Sequence, residues 1–126
     1  MCGGQPVKMS IMPLLKLETT VAIQEEKRKA LLAAFSKLVA HTLNKPEEYV
    51  MVTWNQAAIQ MSGAGGDAAF VDVRSIGGLT GEANKKLSQH VCQLLRDSLG
   101  IPTERVYVNF TDVKGANWGW KAETFG

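Results

Sequence analysis

The most unusual chemical potential in this sequence belongs to Pro13, which follows Met12 and opens the apolar run Leu14-Leu15-Lys16-Leu17-Glu18-Thr19-Thr20-Val21. Inside a chain a proline nitrogen is a tertiary amide, with neither a proton nor basicity. If the chain instead began at Pro13, the same nitrogen would be a secondary amine at the mouth of a packed sheet, a base that no ordinary side chain supplies. Chemistry at Pro13 therefore depends on the mature N-terminus. Residues 1–12 contain turn formers, no period and little charge, and read as a flexible N-terminal extension or an upstream start. Residues 13–126 read as the domain.

Other candidate groups have ordinary explanations when taken one at a time. Lys45 alone is a lysine at a helix C-terminus, where it satisfies carbonyls. Tyr107 and Asn109 are alternate residues on one side of a strand, and Ile76 is a core residue. His41 and His90 fall on helices with no partner at ligand spacing, and Cys92 reads as a buried thiol. The two cysteines, Cys2 and Cys92, lie far apart with no Cys or His at metal-ligand spacing, so neither a disulfide framework nor a metal site is expected.

The elements that must position these groups follow from periodicity. A strand is expected over about Leu14–Val21 and a helix over about Gln24–Leu43, opened by Glu25 and Glu26 where the dipole favours negative charge. Leu31, Phe35 and Leu38, with Leu32, Val39 and Leu43, form its apolar stripe. Asn44 is a left-handed stop, and Lys45-Pro46 ends the helix because the residue before a proline is pushed out of the helical region. Tyr49–Asn55 is expected as a second strand. The glycine-rich stretch Met61-Ser62-Gly63-Ala64-Gly65-Gly66 reads as a mobile surface loop rather than a phosphate cradle, since a strand follows where a cradle needs a helix.

From Ala68 the pattern repeats at a shift of 56 residues, the separation of Lys29 from Lys85, and the same shift pairs Leu31 with Leu87, Leu38 with Leu94 and Pro46 with Pro102. The register runs on through Val50/Val106 and Val52/Val108. Two copies of one βαβ unit give an α/β (α+β) fold: a four-stranded mixed sheet with two helices, which right-handed crossovers put on one face. The other face then lacks a cover, and an oligomer that buries it is expected. The tail from Gly115 to Gly126 carries Trp118, Trp120 and Phe125 on glycine-interrupted chain that reads as irregular.

Composition narrows the partners. With 126 residues, 45% apolar and 21% charged, the chain suits one soluble domain. A net charge of +2 from interspersed Lys, Arg, Asp and Glu makes no basic face, which argues against nucleic acid. No apolar run approaches the roughly 18 residues of a membrane span, and residues 1–12 lack the apolar centre of a signal peptide. A cytoplasmic protein is expected, with secretion that needs no signal peptide as the alternative.

Met12-Pro13 opening a strand, Asn44-Lys45-Pro46-Glu47-Glu48-Tyr49-Val50, Ser75-Ile76-Gly77-Gly78, Arg105-Val106-Tyr107-Val108-Asn109-Phe110 and Trp118-Gly119-Trp120 to Thr124-Phe125 occur in that order. As a set they resemble the macrophage migration inhibitory factor and D-dopachrome tautomerase family. The resemblance implies a homotrimer with sheets lining a central channel and active sites between neighbouring subunits. It implies keto–enol tautomerisation of phenylpyruvate-type aryl keto acids and dopachrome analogues, without cofactor or metal. Pro13 would be the general base and acid, and Lys45 and the Ile76 backbone amide would bind substrate oxygens. Tyr107 and Asn109 would come from the adjacent subunit, while Tyr49, Trp118, Trp120 and Phe125 would wall the pocket.

That chemistry is coherent on physical grounds. Moving a proton between carbon and oxygen beside a carbonyl needs one group that cycles near neutral pH. An amine among aromatics and beside a cation such as Lys45 has its charged form disfavoured twice, so its pKa falls toward that range. Two departures from the family pattern stand out. A Cys-x-x-Cys seen in some members is replaced by Ala68 and Val71, and a Phe-Gly-Gly turn is altered within Met61–Gly66. The resemblance also implies a second class of function, a cytokine-like signalling protein with a protein receptor as partner, which a retained extension would favour.

Overall fold

In the computed structural model, residues 12–126 are described, so all of the expected extension except Met12 lies outside the described residues. The main elements are β1 (Pro13–Thr19), α1 (Glu25–Leu43), β2 (Met51–Gln56), β3 (Ala69–Ser75), α2 (Gly81–Leu99) and β4 (Val106–Asp112). One mixed sheet runs in the order β2-β1-β3-β4. The outer pairs β1/β2 and β3/β4 are parallel and the central β1/β3 pair is antiparallel.

The repeat inferred from sequence recurs in the backbone. The 19-residue α1 and the 19-residue α2 start and end 56 residues apart, at Glu25/Gly81 and Leu43/Leu99. Each ends on a left-handed residue, Asn44 at φ 56° and Gly100 at φ 70°. Only α2 carries a side-chain N-cap, with the Ala83 backbone N–H donating to Thr80 Oγ1 at 3.1 Å.

Period-2 alternation sends Leu15 and Leu17 of β1, with Val71 and Val73 of β3, into one core with Leu31, Phe35 and Val39 of α1 and Leu87, Val91 and Leu95 of α2. Both helices thus cover the same sheet face. The opposite face bears Leu14, Lys16 and Glu18 of β1, Phe70, Asp72 and Arg74 of β3, and Tyr107, Asn109 and Thr111 of β4. No element among the described residues covers it, and among them Tyr107 (67%) and Met51 (62%) are the most exposed large apolar side chains. Among the described residues no helix is long and apolar enough to cross a membrane, and no group of three or more His, Cys, Asp or Glu could hold a metal ion.

Three expectations shift. The second strand begins at Met51, because Glu47–Tyr49 form a 3-10 turn in which the Val50 N–H donates to the Glu47 carbonyl at 3.0 Å. The tail is not irregular throughout: Gly119–Trp120 (β5) and Glu123–Thr124 (β6) form an antiparallel hairpin, with Lys121 and Ala122 at φ 55° and 65° in its two-residue turn. The glycine-rich stretch is a surface loop, but a held one. Met61 and Ala64 exchange two backbone hydrogen bonds, and the Arg105 guanidinium donates to the carbonyls of Asp67, Met61 and Ala64 at 2.8, 3.2 and 3.2 Å.

Candidate functional site

The site is built at the end of the sheet where β1 begins. Proline suits the first position of a strand, where its missing N–H costs no ladder bond. Pro13 is fully buried there, with Ser75 opposite it on β3 and Asp112 opposite Ser75 on β4. Directly after Ser75 the chain turns through Ile76, Gly77 and Gly78, with both glycines at positive φ (76° and 84°). This turn is pinned: the Ser75 hydroxyl donates to the Gly77 carbonyl at 2.7 Å and the Gly77 N–H donates to Asp112 Oδ1 at 3.0 Å.

Lys45 reaches the same turn from the end of α1. Its backbone N–H donates to the Ala40 carbonyl at 2.8 Å, closing the helix around Asn44. Its side chain then crosses Gly78 so closely that a Cβ there would lie 2.9 Å from Lys45 Cε and 3.1 Å from Nζ. Glycine at 78 is therefore required by its positive φ, while a side chain there would also push aside the flexible tip of Lys45. Burial holds the Lys45 ammonium below the ordinary lysine pKa, and the Asp112 carboxylate partly offsets this.

The C-terminal segment supplies the aromatic wall. The Phe125 N–H donates to the carbonyls of Gly115 and Trp118 at 3.0 and 3.2 Å, which folds the tail back over the β1 end of the sheet. Trp120 stacks on Phe125 with centroids 6.1 Å apart and meets Tyr49 edge-on at 5.8 Å. Beside them lies a cavity of about 670 Å³, lined by Pro13 with Met12, Leu14, Tyr49, Trp118 and Trp120 and bordered by Glu48 and Lys121. The Lys121 ammonium sits 4.6 Å from the Trp120 ring centre.

The structure thus brings Pro13, Tyr49, Trp118 and Trp120 to one cavity. Ile76 and Phe125 pack in the adjoining apolar cluster with Met12, and do not line the cavity itself. Lys45 also lies outside the lining, on the Gly77–Gly78 turn. Tyr107 and Asn109 are not brought to Pro13 within the chain. Tyr107 is five residues along β4 from Asp112, or about 17 Å at strand rise. The Asn109 amide donates to Asp72 Oδ1 at 3.1 Å and to Thr111 Oγ1 at 2.8 Å. His41 and His90 are exposed on their helices, and Cys92 is half-buried rather than buried, its pKa raised by desolvation.

Sequence reasoning missed four contributors: Met12 as a packed residue, Asp112 as the anchor of the Gly77 N–H, and Glu48 and Lys121 at the cavity rim. The Ser75-Ile76-Gly77-Gly78 word marks a turn, but no period marks the carboxylate that holds it.

Comparison with known proteins agrees with this architecture. Residues 12–126 match the family model described as Macrophage migration inhibitory factor (MIF). A macrophage migration inhibitory factor homolog of Trichuris trichiura is 38% identical over 115 residues, covering 90% of this chain and 100% of that protein. The macrophage migration inhibitory factor of Xenopus laevis is 33% identical over 115 residues, covering 90% and 99%. Among solved structures, a macrophage migration inhibitory factor-like protein of Entamoeba histolytica superposes with a TM-score of 0.86 at 31% identity, covering 90% of this chain and 98% of that one. A homologue from Prochlorococcus marinus gives 0.85 at 35% identity, covering 90% and 99%. With nearly the whole domain matched in sequence and in fold, the chain belongs to the macrophage migration inhibitory factor family.

Proposed function

We propose that this protein is a cofactor-free keto–enol tautomerase acting on aryl keto acids of the phenylpyruvate type or on dopachrome-like compounds, once its chain begins at Pro13. The observation that carries the reading is the shared cavity: Pro13, which as a chain start would offer a secondary amine, lines the same cavity as Tyr49, Trp118 and Trp120. In the enol-to-keto direction the neutral Pro13 amine takes the enol O–H proton, leaving an enolate, and the ammonium so formed delivers that proton to the neighbouring carbon. In the reverse direction the amine removes the carbon proton and the resulting ammonium returns it to the enolate oxygen. No electrons change hands, so the amine suffices as acid and base. Lys45 and the Ile76 N–H are the groups proposed to hold the substrate's oxygens, where negative charge develops. Apolar walls and the Lys45 charge both favour a neutral Pro13 amine.

In this reading the working unit is a homotrimer. Tyr107 and Asn109 are then supplied to each pocket by the neighbouring subunit, which fits their remoteness from Pro13 in their own chain. The test is direct: phenylpyruvate enol–keto conversion is measured for the full chain, a Pro13-start chain and the Pro13→Gly variant of the latter. Turnover by the Pro13-start chain alone is expected. Equal rates in all three would discard Pro13 as the base.

One observation favours a second reading. In the full chain the Pro13 nitrogen is acylated by Met12 and has no basicity. If that bond persists in the native protein, a cytokine-like role through a protein receptor is the better proposal, in the cytoplasm or after export without a signal peptide. Sequencing the N-terminus of protein from its native source separates the two.

A further inference from the structure

We propose that the full chain blocks its own pocket, with the Met12 side chain seated where the apolar part of a substrate would lie. This inference rests on the reading of the Pro13 cavity as a substrate pocket and concerns its regulation. Met12 is only 5% exposed although it precedes the first strand. It forms one apolar cluster with Ile76 (6% exposed) and Phe125 (7%), and Tyr49, Val113, Trp118 and Trp120 pack around that cluster. The cavity that remains is lined by Met12 and Pro13 but by neither Ile76 nor Phe125. Met12 therefore borders the open space and also packs in one cluster with two of the residues proposed to bind substrate.

A thioether chain suits this place, because it is unbranched, polarisable and adapts to aromatic surfaces. Being tethered to Pro13, it competes with a free ligand at a high effective concentration. Hydrolysis of the Met12–Pro13 peptide bond would do two things in one step. It would convert the Pro13 amide nitrogen into a secondary amine, and it would release Met12 from Ile76 and Phe125. The base and its binding surface would appear together, so a partly processed chain would have neither.

The experiment uses 3-phenylpropanoate, an aryl acid with no keto group to react, titrated by NMR into three proteins: the full chain, the Pro13-start chain, and the full chain carrying Met12→Gly. Ligand binding to the full chain is expected to be about ten- to a hundredfold weaker than to the Pro13-start chain, the factor that burying a methionine side chain corresponds to. Met12→Gly should recover most of that affinity while showing no turnover of phenylpyruvate, since its Pro13 nitrogen stays acylated. In the full chain, the labelled Met12 methyl group should show nuclear Overhauser contacts to the Phe125 ring. Equal affinity in the full and Pro13-start chains would overturn the proposal, as would a Met12→Gly chain that binds no better than its parent or a Met12 methyl without contacts to Phe125. A Pro13-start chain that binds the acid tightly yet fails to turn over phenylpyruvate would instead defeat the catalytic reading and leave this one standing.

Discussion

Pro13 and Tyr107 stand at opposite ends of the same sheet. Pro13 is level with Ser75 and Asp112, whereas Tyr107 is level with Phe70 and, through it, with Glu18. One chain cannot fold so as to bring both to a small substrate, because the separation, about 17 Å along β4, is fixed by the hydrogen-bonded register.

A site that needs both residues must therefore be shared, which complementation can detect. Pro13-start subunits carrying Tyr107→Ala are mixed, after dissociation, with subunits carrying Pro13→Gly. Reassembled mixtures should exceed the average phenylpyruvate turnover of the two parents, since some pockets then pair an intact Pro13 with an intact Tyr107. Turnover equal to the parental average would mean that Tyr107 does not serve a neighbour's pocket.

Lys45 should impose an alkaline limit on substrate binding. Its pKa is lowered chiefly by burial and raised in part by Asp112, so its charge is lost at a lower pH than that of a surface lysine. The affinity for a carboxylate substrate should fall as pH rises through that depressed value. Asp112→Asn keeps an acceptor for the Gly77 N–H but removes the charge, and should move the fall to lower pH still. Lys45→Met should raise KM about tenfold or more at neutral pH, the usual cost of losing a charge-assisted hydrogen bond. The stability consequence has the opposite sign. Because the folded pKa lies below the unfolded one, the unfolded chain binds more protons between the two values, and stability rises with pH across that window. Lys45→Met should therefore raise Tm at neutral pH while it impairs binding. A kcat/KM profile across the alkaline range, with a thermal melt of each variant, checks both signs.

The β5–β6 turn holds a removable strain. Lys121 and Ala122 both sit at positive φ, which a side chain makes costly and glycine does not. Ala122→Gly should stabilise the fold by roughly 1 kcal/mol, less the entropy that glycine adds to the unfolded chain. Urea denaturation should show a higher midpoint at unchanged slope. A lower midpoint would mean that the Ala122 methyl group is more important than the backbone strain.

Much of this architecture was legible because the chain states it twice. The pairs Leu31/Leu87 and Pro46/Pro102 report core and helix-end positions of one unit, and the observed helices start and end at the same shift. The left-handed stop at Asn44 was legible for the same local reason, its place before Lys45-Pro46. What escaped depends on contacts between segments distant in sequence. Lys121-Ala122 lacks the Asn-Gly or Asp-Gly signature of a tight hairpin, so the tail's pairing follows from the packing of Trp120 and Phe125 rather than from turn chemistry. The loop at Met61–Gly66 is composed like a flexible linker, yet Arg105, some forty residues later, holds its carbonyls. The burial of Met12 could not be read from a segment without period, since it rests on contacts with residues distant in sequence, Ile76 and Phe125 among them.

The duplicated scaffold has one more implication. The shift that superposes the two helices carries Pro13 onto Ala69, and carries Met51 and Thr53 onto Tyr107 and Asn109. Each half therefore offers an equivalent strand opening and an equivalent outer edge, but the special residues are divided: Pro13 belongs to the first copy, the edge tyrosine and asparagine to the second. In the proposed reading a polypeptide holds one reactive nitrogen at most, because only a chain start carries a free amine and Ala69 is joined by amide bonds on both sides. Ala69 therefore shares the frame of Pro13 without sharing the chemistry proposed for it.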